Sequence, residues 1–146
     1  MDEIILELNK YNLKVARHSS GNQNLKKIDI YIVDTFGETQ KFHKNASSVF
    51  LGGSIIKRGG QNPLEAARYG AKIFHGPNID NFKDIYALLK DLDISKKIST
   101  PKQLASYVVF KKNKILGHKI KKTGTKILNK TIRELDIFIK NEYKKT

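Results

Sequence analysis

The amino-acid sequence predicts an α/β fold: a Rossmann-like parallel sheet with helices on both faces. Short apolar runs alternate along the chain with segments of helical character, which is the pattern of a parallel sheet covered by helices. The runs are rich in Ile, Val and Phe, as expected of strands buried on both faces. A chain of 146 residues, 39% of them hydrophobic, is long enough for one domain with its own core.

Five segments are predicted strands, and helices are predicted between them. The strands are Leu13–Ala16, Ile28–Val33, Val49–Leu51, Ala71–Phe74 and Ile94–Ile98. The helices are Glu38–Asn45, Pro63–Tyr69, Asn81–Leu92 and Pro101–Phe110. A helical fragment, Asp2–Lys10, comes before the first strand. Because a doubly wound domain normally opens with a strand, we expect the first strand–helix unit of the fold to be missing.

The C-terminal part of the sequence predicts one long amphipathic helix over about Lys119–Tyr143. An apolar stripe follows a spacing of 4, 3 and 4 residues along it, formed by Leu128, Ile132, Leu135 and Ile139. The segment Lys111–Lys122 is basic and contains Gly117, which predicts a loop or hinge. We therefore expect an α/β lobe over residues 1–110, followed by a basic linker and helix over residues 111–146.

The chain is strongly basic, with 28 Lys and Arg against 14 Asp and Glu. Residues 111–146 alone carry a net charge of +9. Such a tail suits nucleic acid, an acidic membrane surface or a phosphorylated substrate, but a Lys-rich solvated helix explains it equally well. Cysteine is absent, and the sequence shows no signal peptide and no apolar run long enough to span a membrane. These features favour a cytoplasmic protein.

The glycine-rich segment LGGSIIKRGGQNPLEAA, residues 51–67, is the strongest candidate site. Glycine pairs at the end of a strand permit positive φ and close approach of the backbone to a ligand. Asn62 and Glu65 stand three residues apart across the predicted helix start. This spacing fits a capping box, and it also fits a ligand site in which Glu65 accepts hydrogen bonds from vicinal sugar hydroxyls. The spacing alone leaves both interpretations open.

Two further turns follow predicted strands. The segment DTFGE, residues 34–38, can present backbone amides to a phosphate, or it can be a simple turn capped by Asp34 or Thr35. The segment HGPNIDN, residues 75–81, follows the next strand but one. Ligands of open α/β sheets bind at loops after the carboxyl ends of strands, so these loops predict one binding edge.

These segments together resemble the C-terminal lobe of the 3-deoxy-D-manno-octulosonic acid (Kdo) transferases of lipopolysaccharide synthesis. The DTFGE turn, the GGS loop, the GGQNPLE helix start and the GPNIDNF loop occur in the order of that family, as does VAR at residues 15–17. The resemblance covers roughly residues 10–110. It implies a glycosyltransferase of the GT-B type, with two Rossmann-like lobes that face a cleft, of which this chain is the C-terminal lobe.

The resemblance implies that the donor is CMP-Kdo and that the acceptor is a phosphorylated lipid A precursor. Glu65 would hold the ribose hydroxyls, and Asn62 would lie near the donor phosphate with the backbone amides of Gly37 and Glu38. Gly53 and Ser54 would line the donor cleft. It also implies that no metal or other cofactor takes part, and the four histidines show no ligand-like spacing. The expected location is cytoplasmic, at the periphery of the inner membrane.

The family's general base is a carboxylate of the N-terminal lobe, which this sequence does not contain. A general base must lie within hydrogen-bond reach of the proton that it takes, so we expect the isolated chain to be inactive. A separate N-terminal lobe, as in a split enzyme, is one interpretation, and a non-catalytic nucleotide-binding remnant is another. A nucleic-acid-binding protein is disfavoured, because the basic tail has few aromatic residues for stacking and no recognised module.

Overall fold

A computed structural model describes residues 2–21 and 24–143 and shows an α/β fold with parallel strands. The chain divides into two compact units, residues 1–41 and residues 42–146. The helices are α1 Asp2–Asn9, α2 Thr39–Asn45, α3 Leu64–Ala67, α4 Lys83–Asp91, α5 Pro101–Tyr107 and α6 Lys114–Tyr143. The strands are β1 Val15–Arg17, β2 Ile30–Ile32, β3 Ser48–Leu51, β4 Lys72–His75 and β5 Ser95–Lys97. Every predicted strand and helix is present, with bounds that shift by a few residues.

The strands form two parallel sheets rather than the one sheet that the sequence predicted. In the first unit β1 pairs with β2, with Val15 opposite Ile30. In the second unit the order is β3-β4-β5, with Leu51 opposite His75. Apolar runs predict where strands lie but not which strands pair, because pairing depends on contacts between distant residues.

The core of the second unit lies between its sheet and the helices. Its buried residues are Leu51, Ala66, Ala67, Ala71, Ile73, Tyr86, Leu89, Ile94 and Ile120. The alanines of α3 and Leu89 of α4 are completely buried, so these two helices are held against the sheet by apolar packing. The packing fixes the start of α3 and the loops that follow β3 and β4, where the candidate site lies.

Helix α6 begins at Lys114, five residues before its predicted start, and the predicted loop or hinge around Gly117 is wrong. Gly117 is helical and buried. A Cβ atom there would lie 3.0 Å from the Arg68 carbonyl oxygen and 3.1 Å from the Gly70 amide nitrogen. The glycine is therefore needed for close packing of α6 on the backbone after α3, a tertiary contact that the sequence pattern does not reveal. Leu116 and Ile120 continue this contact into the core.

The remainder of α6 exposes its apolar stripe. The exposed fraction of the stripe residues runs from 47% at Ile132 to 58% at Leu128. Only the first turns of the helix therefore contribute to the core of the second unit. Within the described residues no helix has both the length and the apolar character needed to cross a bilayer. The division into residues 1–110 and 111–146 stays a prediction.

Candidate functional site

The loop between β3 and α3, residues 52–63, is fixed to the end of β4 by Ser54. The Ser54 hydroxyl donates to the Leu51 carbonyl oxygen at 2.5 Å and accepts from the Gly76 amide at 2.6 Å. Its side chain is completely buried. A Cβ atom on Gly76 would lie 2.5 Å from the Ser54 carbonyl oxygen, so the two strand ends are in backbone contact. Ser54 therefore positions this loop and presents no side-chain surface to a ligand.

The segment after β4 holds the rest of this loop. The Asn78 side chain donates to the Ile55 carbonyl oxygen at 2.9 Å. The Asn81 backbone amide donates to the Gly59 carbonyl oxygen at 3.1 Å. The buried Tyr86 hydroxyl donates to the Gln61 carbonyl oxygen at 3.1 Å, and burial raises the pKa of this phenol to about 12. The sequence places Asn78 and Asn81 in a candidate binding loop, but it does not predict these three bonds, because the bonded partners lie more than 20 positions away in the chain.

The second glycine pair is required by the path of this loop. Gly59 and Gly60 have φ values of 78° and 83°, a region that residues with a Cβ rarely adopt. A Cβ atom on Gly59 would also lie 2.4 Å from the Asn81 side-chain nitrogen. A Cβ atom on Gly53 would lie 3.2 Å from Gln61 Cγ. These glycines let the loop fold back tightly before α3, and this pre-organises the start of that helix.

The start of α3 does not form the capping box that the spacing allowed. The Asn62 side-chain oxygen accepts from the Leu64 amide at 3.0 Å, one residue short of Glu65. The Glu65 side chain is exposed and makes no hydrogen bond or ion pair among the described residues. A carboxylate with no internal partner is available to a ligand. Of the two interpretations of Glu65, the structure therefore disfavours the capping box and remains compatible with a ligand-binding role.

Glu65 lies in a groove of about 440 Å³ between α3, α4 and α6. Asn62 and Arg68 line it from the α3 segment, and Lys121 lines it from α6. His43, at the end of α2, lies near this carboxylate. Burial lowers the pKa of the His43 imidazole, and the negative charge of Glu65 opposes that shift. Two cations and one free carboxylate therefore share one groove.

In the first unit, the turn after β2 is linked to the segment after β1 rather than capped locally. The Asp34 carboxylate accepts from the Ser19 amide at 3.0 Å and from its hydroxyl at 2.7 Å, and these bonds lower the pKa of Asp34. Gly37 has a φ of 84° with open space beside it. Glu38 forms an ion pair with Lys41 at 2.7 Å, which lowers its pKa.

The six predicted donor-site residues are thus divided between the units. Gly37 and Glu38 belong to the first, and the remaining four, Gly53, Ser54, Asn62 and Glu65, belong to the second. In the second unit Asn62 and Glu65 share a groove, whereas Gly53 and Ser54 shape the loop that leads to it. No three His, Asp or Glu side chains cluster as a metal site in residues 2–21 and 24–143.

No protein-family model matches this chain. Curated relatives include 3-deoxy-D-manno-octulosonic acid transferases from three bacteria. The one from Bordetella pertussis is 37% identical over 84 residues, 57% of this chain and 20% of the relative. The one from Rickettsia felis is 40% identical over 82 residues, which are 56% of this chain and 18% of the relative. The one from Rickettsia bellii is 49% identical over 57 residues, which are 39% of this chain and 13% of the relative. The matched part therefore spans about a fifth of the relatives' length or less.

Among solved structures, the chain is similar to the C-terminal CMP-Kdo binding domain of WaaA from Acinetobacter baumannii. The TM-score is 0.65 at 25% sequence identity, and the match covers 72% of this chain and 55% of that domain. The chain is thus similar in sequence to Kdo transferases, and it has the fold of the C-terminal CMP-Kdo binding domain of WaaA.

Proposed function

We propose that this chain binds CMP-Kdo and serves as the donor lobe of a glycosyltransferase that transfers Kdo to a lipid A precursor in lipopolysaccharide biosynthesis. The observation that carries the proposal is the unpartnered Glu65 carboxylate, in a groove with cations, at the end of a tightly fixed glycine loop. A carboxylate accepts hydrogen bonds from vicinal hydroxyls, and cations bind phosphate. A nucleoside monophosphate carries both groups.

The residues of this site bind and orient the donor. Glu65 accepts from the two ribose hydroxyls, while Asn62 approaches the phosphate. Ser54, Asn78 and Tyr86 keep the loop in place, so little ordering is needed when the nucleotide binds. In this proposal the general base and the acceptor site belong to an N-terminal lobe, which residues outside this chain supply.

The direct test is a calorimetric titration of the purified chain with cytidine monophosphate. We expect saturable binding to one site, with weaker binding of adenosine monophosphate because its larger base must fit the same groove. Since CMP is the part of the donor that Glu65 would hold, it tests the site without the unstable sugar ester. A folded chain that shows no heat change and no shift in melting temperature with CMP would contradict the proposal.

The exposed stripe of α6 supports a second, separable proposal: this helix attaches to an anionic membrane surface, where a lipid acceptor would lie. Its apolar residues occupy one side, and Lys122, Lys126 and Lys130 occupy another, the arrangement of helices that lie in a bilayer interface. We expect salt-sensitive co-sedimentation with phosphatidylglycerol vesicles, weakened by Leu135→Glu. Equal binding to vesicles of neutral phosphatidylcholine would contradict this.

A further inference from the structure

We infer that α6 forms one wall of the donor site, with Lys121 supplying positive charge to the donor phosphate. This inference rests on the proposed nucleotide function of Glu65 and extends it to a helix that the family resemblance, covering residues 10–110, does not reach. The groove beside Glu65 has two sides. One comes from the Asn62–Arg68 segment, and the other comes from residues 120–127 of α6.

The size and lining of the groove suit a nucleotide. Its volume of about 440 Å³ lies within the usual range of small-molecule sites, roughly 300–1,000 Å³. Most of its surface is apolar, formed by Leu64, Leu88, Ile120 and Ile127, which offers a flat aromatic base a surface to pack against. The polar and charged residues that line it are Asn62, Glu65, Arg68, Lys121 and Thr123.

Arg68 lies over the Tyr69 ring at 5.1 Å and the charge of Glu65 acts on His43, but the charged side chains of this groove do not pair with one another. Among the described residues Arg68 and Lys121 form no ion pair, although the free Glu65 carboxylate lines the same groove. A salt bridge between them would satisfy the charges internally. A ligand that carries both hydroxyls and a negative charge satisfies each group separately, with hydroxyls donating to the carboxylate and phosphate accepting from the cations.

The helix also leaves room for the ligand at Gly124. No atom lies within 4 Å of the position that a Cβ atom would take there, and the residue lines the groove. Glycine inside a helix costs about 1 kcal/mol of helix stability relative to alanine. At Gly124 the absence of a side chain leaves open space on the α6 side of the groove. At Gly117, by contrast, the absence of a side chain is needed for close packing.

The test measures CMP and cytidine binding to the wild-type chain and to two variants of α6. We expect Lys121→Glu to weaken CMP binding at least about tenfold, the size of a lost charged hydrogen bond, with little change for cytidine, which lacks the phosphate. The matched control is Lys126→Glu, which changes the net charge equally but projects about 140° away around the helix. It should alter CMP binding less than about twofold, because exposed charges far from the ligand are screened.

The second variant, Gly124→Leu, fills the groove while raising helix propensity, so lost binding cannot be attributed to unfolding. We expect it to abolish CMP binding and to preserve or raise the helical circular-dichroism signal. Equal effects of the two lysine variants, or full CMP affinity in Gly124→Leu, would overturn the inference. Wild-type chain that binds no CMP overturns the proposed function itself. Loss on Glu65→Gln but not on either α6 variant overturns only the role of α6.

Discussion

Replacing Gly76 by alanine is expected to destabilise the second unit by about 3 kcal/mol, the upper end of the cost of overpacking a core. The added Cβ atom would lie 2.5 Å from the Ser54 carbonyl oxygen and 3.1 Å from Ile55 Cα. Both are backbone atoms, which cannot rotate away as a side chain can. The two strand ends must separate, and the Gly76 amide then loses its bond to the buried Ser54 hydroxyl. Chemical denaturation measures the change in the free energy of unfolding.

The matched control is Gly52→Ala, in the loop after β3 that Gly76 contacts. No atom lies within 4 Å of the position of its Cβ, and its φ is not positive. We therefore expect its free energy of unfolding to stay within about 0.5 kcal/mol of wild type. A Gly76→Ala chain as stable as the Gly52→Ala chain would show that the ends of β3 and β4 are not in close contact.

Replacing Glu65 by glutamine is expected to weaken CMP binding by about 1.5–3 kcal/mol, the usual cost of losing a hydrogen bond to a charged group. This corresponds to a 10- to 100-fold rise in Kd. Glutamine keeps the size of the side chain and one acceptor oxygen, but it removes the charge. Because Glu65 is exposed and has no partner in the described chain, we expect little change in the free energy of unfolding. Calorimetry gives the affinity and denaturation gives the stability.

A second ligand makes this prediction specific to the ribose. In wild type, 2′-deoxycytidine monophosphate lacks one of the hydroxyls assigned to Glu65 and should bind more weakly than CMP. In Glu65→Gln the difference in affinity between the two nucleotides should shrink, because the negative charge that strengthens the hydrogen bond from the second hydroxyl is absent. The control Glu3→Gln, an exposed carboxylate of α1, should change neither affinity. An undiminished difference in Glu65→Gln would place the ribose elsewhere.

The sequence contained enough local information to predict the elements of the fold and a candidate site. Most strands lie in short apolar runs, β5 with the sequence SKK being the exception, and each turn after a strand carries glycine, proline or asparagine. The positions of the strands therefore follow largely from periodicity and turn chemistry. Four motifs in a fixed order, including the segment with Asn62 and Glu65, predicted the family resemblance that the comparisons confirm. None of this required knowledge of which strands pair.

The roles of individual residues depended on contacts between distant segments. Gly117 looked like a hinge because glycine weakens an isolated helix, yet here it brings α6 against the Arg68 carbonyl. The family resemblance implied that Ser54 lines the donor cleft, and the structure shows its hydroxyl enclosed between Leu51 and Gly76. The hydrogen bonds that Asn78 and Tyr86 donate to that loop could not be predicted from the local sequence pattern. The role of a small or polar residue therefore depends on tertiary packing. The groups that the fold places beside the residue determine whether it bends the chain, binds a ligand or fills a tight contact.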